Sequence, residues 1–225
     1  MRNGTVRRIG KAHHEAAVAT LRGDDRMAAV IDMVGAYKPS RRGDGFAALV
    51  RAIVSQQVSK YAAEAILGRL HALFRDGRPE ARAMLNLRPR QMIAVGLSRR
   101  KVEYLRDLAA HVADGRLDLA RLGRMSDEAV IERLTAVKGI GRWTAEMYLL
   151  FTLGRPDVLP LGDIALVNAV RELYALPPEA DETHFGSIAE AWRPWRSVAC
   201  WYLYRKINLE REAKAAVAKA ARKGS

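Results

Sequence analysis

Four stretches of this chain, FAALVRAIVSQQV, SKYAAEAILGRLHALF, KVEYLRDLAAHVA and SDEAVIERLTAV, repeat their apolar residues at three- and four-residue spacing. That period puts apolar side chains on one face of an α-helix; a half-buried strand would alternate them instead. Alanine, the best helix former, is abundant in them. Start signals agree with the period. Ser59 precedes KYAAEA, Ser98 precedes RRKVEY, and Ser126 precedes the acids Asp127 and Glu128. A serine oxygen can accept a first-turn N–H, and acids suit the positive end of the helix dipole. No stretch alternates as a strand would. The expected fold is all-α.

The 225 residues suffice for one large domain or two small ones sharing a cleft, and 49% of them are apolar, as in a globular chain. Two polar, turn-rich joints stand between the helical patterns: KPSRRGDG at 38–45 and LGRPDVLPLGD at 153–163. If both are crossings, residues 45–155 form one helical lobe. Residues 1–44 and 156–225 then form a second. The tail REAKAAVAKAARKGS reads as a solvated or fraying helix end.

The formal charge of +13 favours a polyanionic partner, nucleic acid before anionic membrane. One cysteine, Cys200, excludes an internal disulfide, a cysteine-based zinc site and a four-cysteine iron–sulfur cluster. It lies in the apolar run SVACWYLY and reads as a buried, inert thiol in a reducing compartment. His13, His14, His71, His111 and His184 show no metal-ligand spacing, so no metal site is expected. No apolar run reaches transmembrane length, and the basic N-terminus lacks the apolar core of a secretory signal. The expectation is a cytoplasmic, nucleoid-associated protein; Ala/Arg-rich usage points to a bacterial source.

Within LTAVKGIGRWTAEMYLL, Gly139 and Gly141 bracket one isoleucine between two helical patterns. Gly139 can take the left-handed conformation that ends the first helix, and Gly141 lets the chain reverse with no Cβ in the way. The second helix begins at once, at about 126–153 for the whole motif. Its first N–H groups have no intrahelical acceptor and lie at the positive end of a dipole, an anion site that suits a phosphate. Lys138 and Arg142 flank it, and Thr144 lies in the same first turn. A plain αα-hairpin that binds nothing has the same outline.

VKGIGRWTAEMYLL resembles the helix–hairpin–helix of the base-excision DNA glycosylases. DVLPLGDIAL resembles the segment that carries their catalytic aspartate. AIVSQQVS, GLSRRKVEYLRDLA and WRPWRSVACWYLY resemble segments of the DNA-3-methyladenine glycosylase II branch. The resemblance spans roughly residues 45 to 205. It implies two helical lobes around a cleft, in a compact form without the additional N-terminal domain of the bacterial inducible enzyme. The implied activity is release of alkylated purines from duplex DNA by a monomer without a resident cofactor. A monovalent cation on the hairpin carbonyls is compatible with the family.

The resemblance places the catalytic carboxylate at Asp163. By position Asp163 is also a helix N-cap, and the two roles are compatible. A fixed carboxylate beside the sugar stabilises the positive charge that develops as the glycosidic bond breaks. A base alkylated at N3 or N7 is already cationic and leaves without a general acid, so one carboxylate can suffice. Asp157 is the nearest rival. Bifunctional relatives carry a lysine two residues past the second hairpin glycine, where this chain has Trp143; the resemblance therefore implies no strand-cutting lyase step.

Damaged bases must be flipped out to be reached. The family's intercalating residue falls at Gln57, beside Gln56, at a corner between two helices; two solvated glutamines at a helix end would read the same. Trp201 matches a tryptophan that stacks on the flipped base, where a cationic base gains about 0.5–2 kcal/mol over an indole face. Trp192, Trp195, Trp201, Tyr202 and Tyr204 also read as a core cluster, with Trp192 and Trp195 mainly structural. Trp143 is a further candidate for the pocket wall. A pocket tyrosine of the family falls at Met147, and the tyrosine after the aspartate falls at Ile164, which implies a narrower or shifted substrate range. Two other readings stand beside this one: the same fold acting on hypoxanthine, ethenoadenine or a mismatched base, and a hairpin module that binds DNA and cuts nothing.

Overall fold

A computed structural model describes residues 11–38 and 44–221. Residues 1–10 of the basic N-terminus, 39–43 of the first joint and 222–225 of the tail lie outside the described residues. The described residues form helices and no strand. In chain order these are α1 (Lys11–Leu21), α2 (Asp25–Val34), α3 (Gly45–Ser55), α4 (Lys60–His71), α5 (Ala81–Asn86), α6 (Pro89–Ala94) and α7 (Arg99–Ala113). There follow α8 (Leu119–Leu122), α9 (Asp127–Thr135), α10 (Arg142–Met147), a π-helical turn (Tyr148–Leu153), α11 (Ile164–Leu173) and α12 (Glu182–Ala189). A short 3₁₀ turn (Glu190–Trp192) leads to α13 (Arg196–Ala221). The chain divides into two compact units, one holding the described residues 44–153 and the other 11–38 and 154–221.

The first unit is organised around α7. Its residues Val102, Leu105, Leu108 and Ala109 fall on one helical face and are buried, and α3, α5 and α6 pack against it. Leu49, Val50 and Ile53 of α3 and Met84 and Met92 of α5 and α6 complete that core. Each buried leucine or methionine contributes about 1.5–3 kcal/mol over an exposed one. Ser59, Ser98 and Ser126 each accept a first-turn N–H, from Ala62, Lys101 and Ala129, so the three expected start signals are N-caps. One expectation is corrected. The helix after the hairpin is α-helical only to Met147 and then widens into the π turn. Tyr148, Leu149 and Leu150 are all buried there. Three consecutive residues of an α-helix span more than one face, and the turn packs against α3 as well as α10.

The second unit is organised around α13, against which α1, α2, α11 and the 3₁₀ turn pack. Trp192, Tyr202 and Phe185 are among its largest fully buried side chains. Asp24 ties the N-terminal segment in. Its Oδ1 caps α2 by accepting from Arg26 and Met27 N–H, and its Oδ2 accepts from the Tyr174 hydroxyl beyond α11. The tail is helical as far as Ala221, and residues 211–218 are solvent-exposed. Cys200 is fully buried, and burial pushes its thiol far above the ordinary range. Among the described residues no helix is long and apolar enough to cross a membrane, and no cluster of three or more His, Cys, Asp or Glu has metal-binding geometry.

Candidate active site and nucleic-acid interface

The hairpin between α9 and α10 turns at Gly139, whose φ is +81°. A Cβ there would also overlap the ring of Tyr104, which α7 lays against the turn. Two independent constraints therefore require glycine. Gly141 is different, and the expectation that it clears the chain reversal is corrected. Its φ of −95° is open to any residue, and a Cβ would meet nothing within 4 Å. Gly141 is the N-cap of α10 and provides no side-chain cap, so the helix starts beside open space. Arg142, Trp143 and Thr144 form the first turn, where N–H groups lack acceptors within the helix. Thr144 is buried as a whole, at 6% exposure, so its hydroxyl does not stand at the surface of this helix end.

The two expected cations are already engaged. Lys138 Nζ pairs with Glu103 over 2.9 Å, and Lys138 N–H donates to Asp107 over 2.8 Å. Arg142 pairs with Glu128 over 2.6 Å and with Glu146 over 3.1 Å. The Lys138–Glu103 and Arg142–Glu128 pairs have both partners more than half exposed and are worth at most about 1 kcal/mol each, whereas Glu146 is only 10% exposed.

Gln56 and Gln57 sit just past the end of α3 and do different things. Gln56 Nε2 donates to the Gly139 carbonyl over 2.8 Å, joining the α3–α4 corner to the hairpin. Gln57 is exposed and holds a φ of +55°. Of the two expected wedge residues, the structure thus ties Gln56 inward and leaves Gln57 at the surface. A polar cavity of about 250 Å³ lies between the glutamines, Tyr104, Gly139 and the start of α7.

In the second unit, Asp163 is the N-cap of α11 and only 6% exposed. Its Oδ1 accepts the Leu166 N–H over 3.0 Å, and its Oδ2 accepts the Tyr204 hydroxyl over 2.8 Å. The loop leading to it is stitched to the start of α13. Val158 N–H donates to Ser197 Oγ over 2.9 Å, and Ser197 N–H donates to the Pro156 carbonyl over 3.0 Å. Asp157 accepts Arg196 Nε over 2.7 Å and a second Arg196 nitrogen over 3.0 Å, and it pairs with Arg193 over 2.8 Å. Asp157 is therefore an anchor for the loop, which explains the two arginines and the serine of WRPWRS.

Trp201 is 8% exposed, with Tyr37 edge-on at 4.6 Å and Tyr202 perpendicular at 5.1 Å. Trp192 is fully buried. Trp143 is 48% exposed, Met147 is half-buried, and Ile164, beside Asp163, is 75% exposed.

Sequence reasoning did not reach Tyr204 as a partner of Asp163, Tyr104 and Asp107 as supports of the hairpin, or Tyr37 as a neighbour of Trp201. The GLSRRKVEYLRDLA segment carried a signal, since Tyr104 and Asp107 lie in it. The others contact their partners across long sequence separations that no local pattern marks.

Residues 50–197 match the family of HhH-GPD superfamily base excision DNA repair proteins. The chain is similar to DNA-3-methyladenine glycosylase 1 of Schizosaccharomyces pombe, at 35% identity over 83% of this chain and 84% of that protein. Among solved structures it resembles the S. pombe 3-methyladenine DNA glycosylase in complex with abasic DNA, with a TM-score of 0.77 at 35% identity over 84% of this chain and 95% of that one. It also resembles a DNA-3-methyladenine glycosidase from Bacillus halodurans, with a TM-score of 0.75 at 38% identity over 84% and 88% of the two chains.

Proposed function

The chain belongs to the HhH-GPD superfamily of base excision DNA repair proteins, and from that premise we propose that it is a monofunctional DNA glycosylase. It hydrolyses the N-glycosidic bond of alkylated purines, of the 3-methyladenine and 7-methylguanine type, in duplex DNA and leaves an abasic site. The names of its relatives support the substrate class. Its place of action is the nucleoid of a reducing cytoplasm, a reading supported by the single buried cysteine.

The observation that carries the reaction is the setting of Asp163. A carboxylate held by a helix N–H at one oxygen and a tyrosine hydroxyl at the other has a fixed position and no freedom to swing away. As the C1′–N bond of the flipped nucleotide lengthens, positive charge grows on the sugar, and a preorganised carboxylate stabilises it without reorganisation. Water supplies the hydroxyl to C1′ and loses a proton. The bonding electrons leave with the base, which departs neutral because alkylation had made it cationic. No general acid is needed. At the position where a lyase would carry an amine nucleophile the chain has Trp143, so the reaction ends at hydrolysis.

DNA is held at the hairpin. The open space at Gly141 lets a phosphate approach the first turn of α10, with Lys138 and Arg142 exchanging carboxylate partners for it. Gln57 is the wedge, and Trp201 is the residue that stacks on the flipped base.

The test is release of free methylated bases from methylated duplex DNA by the wild-type protein and by Asp163→Asn, with DNA binding measured on both and borohydride trapping used to detect an amine adduct. Release by wild type alone, with binding kept in the variant and no trapped adduct, is the expected result. Equal release by both removes Asp163 from the mechanism. Binding without release moves the reading to another lesion, which a panel including hypoxanthine and ethenoadenine identifies, or to a non-catalytic module if the panel is silent.

A further inference from the structure

The backbone at the α3–α4 corner is strained, and a side chain from another helix restrains it. Gln57 carries a Cβ at φ +55°, a conformation that persists in such residues only where the surroundings hold it. Gln57 is exposed, so its own side chain is not the restraint. Lys101, in the first turn of α7, donates from Nζ to the Val54 carbonyl over 2.7 Å and to the Gln56 carbonyl over 2.7 Å. These carbonyls belong to the C-terminal end of α3, where helix carbonyls lack N–H partners and a cation opposes the negative end of the dipole. Gln56 in turn is fastened to the Gly139 carbonyl. The residue immediately before Gln57 is thus held at both its backbone and its side chain. The Lys101 stem is partly buried, and burial lowers its ammonium from the ordinary lysine range, so this charge was placed at a desolvation cost.

We propose that Lys101 is a positioning residue for strand intercalation: by gripping the Val54 and Gln56 carbonyls it fixes the left-handed turn at Gln57 and so the direction in which residue 57 enters the duplex. This rests on Gln57 being the wedge. In this role Lys101 works on the enzyme's own backbone and not on the base or the sugar. It acts only through the backbone of the corner, and its influence is confined to the step in which a stacked, paired base is extruded. A lesion that is already extrahelical does not need that step.

The experiment compares single-turnover base release from two substrates: 7-methylguanine paired with cytosine in a duplex, and 7-methylguanine in a single-base bulge. Fluorescence of a 2-aminopurine beside the lesion reports unstacking. Lys101→Met keeps the stem and removes the charge; Lys101→Arg keeps two donors. The expected result is that Lys101→Met slows release from the paired lesion about tenfold and leaves the bulge within about twofold, with Lys101→Arg restoring most of the loss. Gln57→Gly should show the same selective loss, and adding Lys101→Met to it should slow release no further, because both act on one step. A uniform loss on both substrates would mark Lys101 as a merely structural cap and overturn the proposal. So would an unchanged rate on the paired lesion, or multiplying effects in the double variant. If Gln57→Gly itself leaves the paired lesion unaffected, it is the wedge assignment that fails. Should Lys101→Met not fold, Lys101→Gln and Lys101→Arg give the same two-substrate comparison.

Discussion

The Tyr204 hydroxyl donates to Asp163 Oδ2 over 2.8 Å, while the Leu166 N–H donates to Oδ1 over 3.0 Å. The aspartate is thereby held by its own helix and by α13. A charge that stabilises a transition state works best when it is already in place, and loss of one fixing hydrogen bond loosens it without removing it. Tyr204→Phe is therefore expected to lower single-turnover base release about tenfold with DNA affinity unchanged, against a loss of about a thousandfold or more for Asp163→Asn. Rapid-quench release and a binding isotherm on each variant check this. Equal rates for Tyr204→Phe and wild type would show that the Tyr204 hydroxyl is not needed to hold the carboxylate.

The two hairpin glycines should separate under substitution. Gly139→Ala forces a Cβ into positive φ and into the Tyr104 ring, so it should destabilise the protein by about 2–4 kcal/mol, seen in urea unfolding. Gly141→Ala meets no atom within 4 Å and suits its φ. It should change stability by no more than about 0.5 kcal/mol yet weaken DNA binding, because the added methyl occupies the space a phosphate needs. Unchanged DNA affinity in Gly141→Ala would remove the phosphate from that helix end.

What was legible in the sequence was local. The three- and four-residue period announced α3, α4, α7 and α9, and serines three residues from their partners announced the caps, because both are set by neighbours along the chain. The left-handed turn at Gly139 was legible for the same reason. What was not legible depends on side chains far apart in sequence. Nothing near Gly139 says that Tyr104 will fill its Cβ position, and nothing near Asp163 points to Tyr204. Asp157 looked like a second candidate carboxylate until Arg193 and Arg196 were seen to hold it. The π turn at Tyr148–Leu153 follows a period indistinguishable from that of an α-helix over so few residues.

The division of labour between the two aspartates is testable. Asp157 is three-quarters buried and bidentate with Arg196, whose side chain is 13% exposed. Removing the carboxylate leaves a mostly buried guanidinium with the Asp157 main-chain carbonyl at 3.0 Å and Glu190 at 3.5 Å, a loss of about 2 kcal/mol. Asp157→Ala should therefore lower the denaturation midpoint clearly, with base release falling only as far as the loop before Asp163 loosens. Asp163→Asn should do the reverse, keeping most of the stability and losing the chemistry. A wild-type midpoint in Asp157→Ala would refute the anchoring role.

Alkali should weaken both units, for a reason visible in two tyrosines. Burial pushes Tyr148 up to about 12, helped by Asp44, and pushes Tyr37 up to about 12, helped by Tyr202. In an unfolded chain a tyrosine titrates near 10. Below pH about 10 both states keep the proton, and the stabilisation is fully present. Between about 10 and 12 the unfolded chain releases the proton while the folded protein retains it, so stability falls by at most about 1.4 kcal/mol per pH unit for each tyrosine, and less for the partly exposed Tyr37. Above the folded values both states are ionised and these groups add no further slope. Urea midpoints measured from pH 9 to 11.5 should therefore decline. Tyr148→Phe and Tyr37→Phe should each make the decline shallower, with Tyr174, pushed up further by burial and by its hydrogen bond to Asp24, keeping part of it. A midpoint independent of pH over that range would mean that neither hydroxyl is shielded from water as the packing around Tyr148 and Tyr37 requires.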